Sequence, residues 1–274
     1  MANYTAADIK EIRESTGAGM LDVKKALDEA EGDKAKAVEL IRVKGLKGIA
    51  KREGRSASEG LIAADIRDAD GGQEGTLVEL NSETDFVAKN DKFVALGDEA
   101  VAAAVESGAS DPEQLAETSF GEALTSAAAT MGEKIVVRRI GRVKGEVVTS
   151  YMHRTNKDLP PQVGVLVATD EAGAEVARDV AMHIAAYSPA YLTRDEVPAE
   201  IVADERRIAE ETAKNENKPE KAIPKIIEGR LNGYFKENVL LDQAFAKDPK
   251  QTVGKVLEGA GGTLTGFVRF RVGN

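Results

Sequence analysis

Apolar positions recur along the chain with two different periods, and the places where the period changes divide it. In residues 5–45, Ile9 and Ile12, then Ala26, Leu27 and Ala30, then Ala37, Val38 and Ile41 fall at helical spacing. "TGAG" (16–19) and Gly32 separate the three groups, and Asp33 is placed to cap the third. This predicts a three-helix bundle whose core is too small for a catalytic domain and suits a docking module. "LIAADIR" (61–67) and "GTLVELN" (75–81) have strand character and flank the turn-forming "DADGGQE", which reads as a hairpin. Phe93, Val94, Ala100, Val101, Ala104 and Val105 then return to helical spacing, a second helix spans about Ser119 to Met131, and "KIVVRRIGRV" closes as a strand.

The same order recurs downstream. "EVVTSYMHR" and "VGVLVATD" read as strands, "AGAEVARDVAMHIAAY" as a helix with the stripe Val176, Val180, Met182, Ile184 and Tyr187, and a helix near "KQTVGKVLEG" leads into the strand "TLTGFVRFRV". The second copy carries an insertion in which Ile201, Ile208 and Thr212, then Ile223, Ile226, Ile227 and Leu231, form narrow stripes on two charged helices turned by "KNENKP". It should project as an antiparallel helical hairpin, with Pro224 either delaying or kinking its second helix. The expected fold class is α+β. Its parts are a three-helix module with a basic tether (1–55), one core subdomain (56–142), a related one (143–192 and 241–274) and the inserted hairpin (193–240).

Composition removes most chemistry. The chain has 274 residues, 42% of them hydrophobic, with no cysteine and two histidines. Disulfides, thiolate metal sites and cysteine nucleophiles are therefore excluded, and little remains for zinc or imidazole catalysis. His153 and His183 lie far apart in sequence with no nucleophile pattern near either, and no phosphate-cradling G-x-x-x-x-G-K-[ST] occurs. No catalytic, cofactor-binding or metal-ligating residue is expected, and the protein is expected not to be an enzyme. No apolar run reaches the length of a membrane span, and "MANYTAADIKEIRE" is too acidic for a signal peptide, so a cytoplasmic address is expected. The net charge of −10 opposes a phosphate backbone. The one basic stretch, "RVKGLKGIAKREGR" (42–55), has six basic residues against Glu53 and no aromatic residue for base stacking, and reads as a solvated tether.

One stretch resists a structural account. "ELNSETDFVAKND" (79–91) ends an apolar alternation in carboxylates, amides and hydroxyls, but it lacks the turn glycine and final bidentate Glu of a calcium loop. Ser82 or Thr84 can cap a helix, with Glu83 or Asp85 favouring its positive end. Capping leaves Phe86 unexplained. The residues alone allow a Phe stapled beneath the first turn against Val87 or Phe93, or one directed outward.

That string closely resembles a signature of the bacterial elongation factor Ts family, the guanine-nucleotide exchange factors of elongation factor Tu. "IRESTGAGMLDVKKAL" (12–27) resembles the family's other signature, and "AMHIAA", "EGR" (228–230), "TVGKVL" and "TGFVRFRVG" extend the similarity over the chain. The resemblance implies an N-terminal module similar to ubiquitin-associated domains, two related α+β subdomains and an inserted hairpin. It implies that Asp85 and Phe86 are presented outward to the partner's nucleotide domain, flanked by contacts from Thr84, Val87, Lys89 and Asn90. His153, Arg13, Met20 and Leu21 are the implied secondary contacts. The implied partner is elongation factor Tu, with no direct nucleic-acid or membrane partner. The implied action is on the magnesium and GDP held by that partner, so no cofactor of its own is expected. Longer family members continue past the position of "RVGN" into a further helix, which implies a weaker grip here. Two other readings compete. A generic scaffold would bind its partner regardless of guanine nucleotide; an RNA-associated protein resting on residues 42–55 would show steeply salt-dependent RNA binding.

Overall fold

The computed structural model describes residues 3–273; the first two residues of the expected N-terminal module and the last residue of the second subdomain lie outside the described residues. The chain is α+β. Helices α1 (Ala6–Thr16), α2 (Met20–Glu29) and α3 (Lys34–Arg52) form the N-terminal bundle around Ile12, Val23, Leu27 and Ile41. Thr5 and Asp8 make a reciprocal capping box at the start of α1, and Asp33 caps α3 by accepting from the Lys36 amide at 3.1 Å.

The tether expected over residues 42–55 is instead mostly the second half of α3, which runs to Arg52. Its physical reason is a neighbour. α3 crosses the later helix Ser119–Met131 so closely that a Cβ added at Gly45 would stand 1.8 Å from the Ala129 carbonyl oxygen. Arg52 Nη1 reinforces the crossing by donating to Ala128 O at 3.3 Å. Tertiary contact thus overrides the unfavourable helix propensity of glycine.

Strands β1 (Glu59–Ala69) and β2 (Gly72–Ser82) form the predicted hairpin, with Asp70 and Gly71 as its loop and Gly71 at φ 83°. Then follow α4 (Asp85–Ala88), α5 (Asp91–Ser107), α6 (Pro112–Ala116), α7 (Ser119–Met131) and β3 (Val136–Gly145). The second half contains β4 (Val147–His153), β5 (Val163–Thr169), α8 (Ala174–Tyr187), α9 (Ala199–Asn215) and α10 (Ile223–Asn238). It ends with β6 (Ala244–Phe245), β7 (Asp248–Thr252), α11 (Val253–Gly259) and β8 (Leu264–Arg271).

The main sheets are antiparallel and three-stranded, with orders β1-β2-β3 and β4-β5-β8. Each therefore has the second strand of its own half at the centre. Alternation along these strands builds a layered molecule. In β1 and β2, Leu61, Ala63, Val78 and Leu80 face α5 and α7, while Ile62 and Leu77 turn the other way towards Leu166 and Ala168 of β5. Val165 and Val167 of β5 face α8 and α11. With both faces covered, every residue of β5 is buried. A Cβ at Gly164 would lie 2.5 Å from Ile62 Cγ2, so the sheets approach as closely as they do because that position is bare.

Two expected stripes are displaced. On α8, Met182 and Tyr187 point outward, and Ala177, Val180, Ala181, His183 and Ile184 are buried, because small residues let the helix sit close to the sheet. On α9, Ala209 and Ala213 face α10 while Ile208 is exposed. Ile223, Ile227 and Leu231 meet them from α10. α10 begins at Ile223, so Pro224 lies in its first turn, where no backbone donor is needed.

Candidate functional site

Two helix caps placed six residues apart shape the segment after β2. Thr84 Oγ1 accepts from the Val87 amide at 3.4 Å and opens α4; Asn90 Oδ1 accepts from the Lys92 amide at 2.9 Å and opens α5. One helical turn is trapped between them. Val87 and Ala88 point into the core beside α5, and the opposite side of the turn carries Asp85 and Phe86. Phe86 is 72% exposed. The Lys89 ammonium lies 4.5 Å from its ring centroid and 3.5 Å from Asp85 Oδ2. The bland alternative, a Phe stapled beneath the first turn, does not occur.

Carboxylates hold this turn from below. Glu133, just past the Gly132 cap of α7, accepts at Oε2 from the Glu83 and Thr84 amides at 3.0 and 3.1 Å, and at Oε1 from the Thr84 hydroxyl at 2.5 Å. Glu83 returns the contact, its Oε1 accepting from the Lys134 amide at 2.6 Å. Burial pushes the Glu133 carboxyl above the usual carboxylate range, opposed by the hydrogen bonds from Thr84. Sequence reasoning missed Glu133. Nothing in "MGEKI" marks it, since its partners lie about fifty residues away in the chain.

The second expected contact group lies next to the first. Gly17 adopts φ 76° to end α1, its amide donating to Arg13 O at 2.8 Å, and Gly19 starts α2. A Cβ at Gly17 would stand 3.2 Å from Asn90 Nδ2, so the α1–α2 turn abuts the start of α5. Arg13 is exposed at the end of α1, and Met20 and Leu21 are 58% and 71% exposed at the start of α2. The structure therefore brings Arg13, Met20 and Leu21 onto elements that touch the 84–90 segment.

Two expected residues fall elsewhere. Val87 is a core side chain, 7% exposed, because the single turn must bury one side to hold its place. His153 is exposed at the end of β4, in the other sheet, with Nδ1 3.1 Å from the Tyr151 hydroxyl. His183 is buried and its ring is fully partnered: Nδ1 accepts from the Ala246 amide at 3.1 Å and Nε2 donates to Gln243 Oε1 at 2.9 Å. Among the described residues no three His, Asp or Glu side chains are grouped to hold a metal ion, and no helix is long and apolar enough to cross a membrane.

The structure thus sets an exposed Phe on a braced turn beside exposed apolar residues of a small helical bundle. Sequence comparison identifies the family. The family profile described as Elongation factor TS matches residues 83–274. Over 280 residues, and with both chains fully covered, the protein is 66% identical to elongation factor Ts of Beutenbergia cavernae. It is 62% identical over 282 residues to that of Micrococcus luteus and 60% identical over 282 residues to that of Paenarthrobacter aurescens, again end to end. Relatives that align throughout, and a profile that begins within the braced turn, show that the chain belongs to the elongation factor Ts family.

Proposed function

We propose that the protein is the guanine-nucleotide exchange factor for elongation factor Tu, binding the GDP complex and promoting GDP release so that GTP can load during translation elongation. The observation that carries this reading is Phe86, an apolar ring 72% exposed on a turn whose base is fixed. Docking that ring into an apolar gap returns about 2–3 kcal/mol, which an exposed Phe forgoes in the free protein. The three N-terminal helices serve as a ubiquitin-associated-like docking module, and Arg13, Met20 and Leu21 widen the grip; His153 adds a contact from the second sheet.

Exchange is a difference in affinity. A factor that binds the nucleotide-free partner more tightly than the GDP-bound one must, by linkage, weaken GDP to the same extent. In this reading Phe86 enters beside the partner's magnesium site, and Asp85 with Thr84, Lys89 and Asn90 displaces the elements that position the ion and the phosphates. Lost magnesium leaves phosphate charge uncompensated, and GDP departs. An acceleration of about 10⁴-fold requires about 5.5 kcal/mol of differential stabilisation. Phe86 supplies part of it and the other contacts the rest. The protein itself forms no covalent intermediate and needs no cofactor.

Stopped-flow release of a fluorescent GDP from elongation factor Tu, at several magnesium concentrations, tests this. The wild-type chain should accelerate release, and Phe86→Ala should lower the maximal rate about thirtyfold, the equivalent of about 2 kcal/mol, while retaining binding. Binding with no change in release would instead identify a nucleotide-independent scaffold.

A further inference from the structure

We propose that Glu133 is a positioning residue for exchange, acting through Glu83 and Thr84 to fix the height and aim of Phe86; this rests on the exchange reading above. α4 is a single turn of four residues, and a helix of that length has no stability of its own. Its aim comes from its flanks. One flank is the burial of Val87 and Ala88; the other is Glu133.

The geometry makes Glu133 the controlling member. Its carboxylate collects both backbone amides that precede the turn and also the Thr84 hydroxyl. By donating to Glu133, that hydroxyl is oriented with its lone pairs free to accept from the Val87 amide, so Glu133 sets the cap that starts α4. Glu83 completes a two-way clasp through the Lys134 amide. The clasp extends further. Lys134 Nζ donates to Glu53 O at 2.6 Å and Arg55 O at 3.1 Å, and Arg55 Nη1 lies 3.2 Å from Glu83 Oε2. The chain leaving α3 is thereby tied to the base of the Phe86 turn, and the N-terminal bundle and the wedge share one foundation.

A wedge transmits strain only if its base does not yield. A loosened Phe86 can still settle on a partner but delivers less of its binding energy at the moment of release. Loss of Glu133 should therefore reduce the maximal release rate more than it changes the concentration giving half-maximal effect. Glu133→Ala is expected to lower the maximal rate about tenfold and shift half-saturation by no more than about threefold. Glu133→Gln retains a carbonyl for the two amides and an amide group for the Thr84 oxygen, and should recover to within about threefold of wild type.

The test measures GDP release from elongation factor Tu for wild type, Glu133→Ala, Glu133→Gln, Thr84→Val and the control Val180→Ala, with melting temperatures and amide hydrogen exchange of the free proteins. Faster exchange at the Glu83, Thr84 and Val87 amides in Glu133→Ala, restored protection in Glu133→Gln and a matching order of maximal rates support the proposal. Thr84→Val, which keeps the carboxylate, should fall between and serves if the alanine variant does not fold. A wild-type maximal rate in Glu133→Ala overturns it. So does an equal loss in Val180→Ala, a core change beyond the second sheet that lowers stability without touching the clasp. A wild-type chain that leaves release unchanged overturns the exchange reading itself, an outcome distinct from the others because amide protection is measured without the partner.

Discussion

At the scale of single residues, His183 shows how a polar group can be placed for stability and take no part in the site. Its ring stacks on Tyr187 at 4.6 Å, accepts from the Ala246 amide and donates to Gln243, whose own amide group donates to Glu237 O at 2.7 Å. Only the neutral ring protonated at Nε2 satisfies these partners, and burial holds its pKa below the usual histidine value, the Gln243 hydrogen bond opposing this. Above pH about 6.5 both folded and unfolded chains carry a neutral ring; as pH falls below that value the unfolded chain takes up the proton first, and stability is lost down to the depressed folded pKa. Urea midpoints from pH 7.5 to 5.5 should therefore fall more steeply for wild type than for His183→Gln; parallel slopes would remove His183 from the account. His183→Ala should destabilise by about 2–4 kcal/mol at pH 7.5, since buried polar partners lose their complement. The packed role of His183 was legible in "AMHIAA", whose neighbours are apolar. Phe86 was less so: spacing left it between core and surface, and only resemblance directed it outward. Glu133 was not legible at all, because its role exists only where the end of α7 meets the end of β2.

At the scale of elements, α3 carries the clearest conflict between local and tertiary preference. Residues 42–55 read as a tether because Gly45 and Gly48 weaken a helix and the basic residues suit solvent. The neighbour that reverses this, the Ala129 backbone of α7, is invisible in the local pattern. The strands were easier, since alternation follows from which faces are covered: "VGVLVAT" is an uninterrupted apolar run because β5 lies between a sheet and helices. The start of α4 was legible through its Thr84 cap but its four-residue length was not, and the five-residue α6 escaped, because helices so short show no period. The Gly45 contact gives a test whose sign separates the two influences. By propensity alone, Gly45→Ala should stabilise α3 by about 1 kcal/mol. The contact requires the opposite: a Cβ would sit within 3 Å of three Ala129 backbone atoms, none of which can swing aside. Hydrogen exchange should show lost protection across α1–α3 and α7 with little change in β5. Increased protection of α3 would mean that α7 moves aside more readily than its packing indicates.

At the scale of the whole molecule, the question is whether the two sheets act as one body, as a grip spread over both would require. Ile62, Leu77, Val143, Val148, Leu166 and Phe270 pack between them, and polar links cross the same boundary. Gln162 Nε2 donates to Gly60 O at 2.6 Å, and the Val148 amide donates to Gln73 Oε1 at 2.9 Å. The strongest link is built on Glu79, a wholly buried carboxylate in β2. It accepts from Arg139 Nε at 2.6 Å, Asn81 Nδ2 at 3.1 Å and the Gly273 amide at 3.2 Å; Arg139 in turn donates to Arg271 O at 3.0 Å and covers the Phe270 ring at 4.4 Å. One buried charge thus joins the first sheet to the end of β8. The helical and strand periods placed Glu79 on a strand but gave no reason for a carboxylate there, since its partners come from β3 and the chain end. Glu79→Ala should destabilise by about 1–3 kcal/mol, because the half-buried Arg139 guanidinium, the Asn81 amide group and the Gly273 amide lose their acceptor, while Arg139 keeps partial access to water. Glu79→Gln, which keeps the acceptor oxygen, should lose less. In a double-mutant cycle with Arg139→Ala, a coupling of about 2 kcal/mol or more is expected, together with selective loss of amide protection along β8. A coupling near zero would mean that the Glu79–Arg139 pair adds nothing to the junction, and that the apolar layer with the Gln162 and Gln73 hydrogen bonds is what joins the sheets.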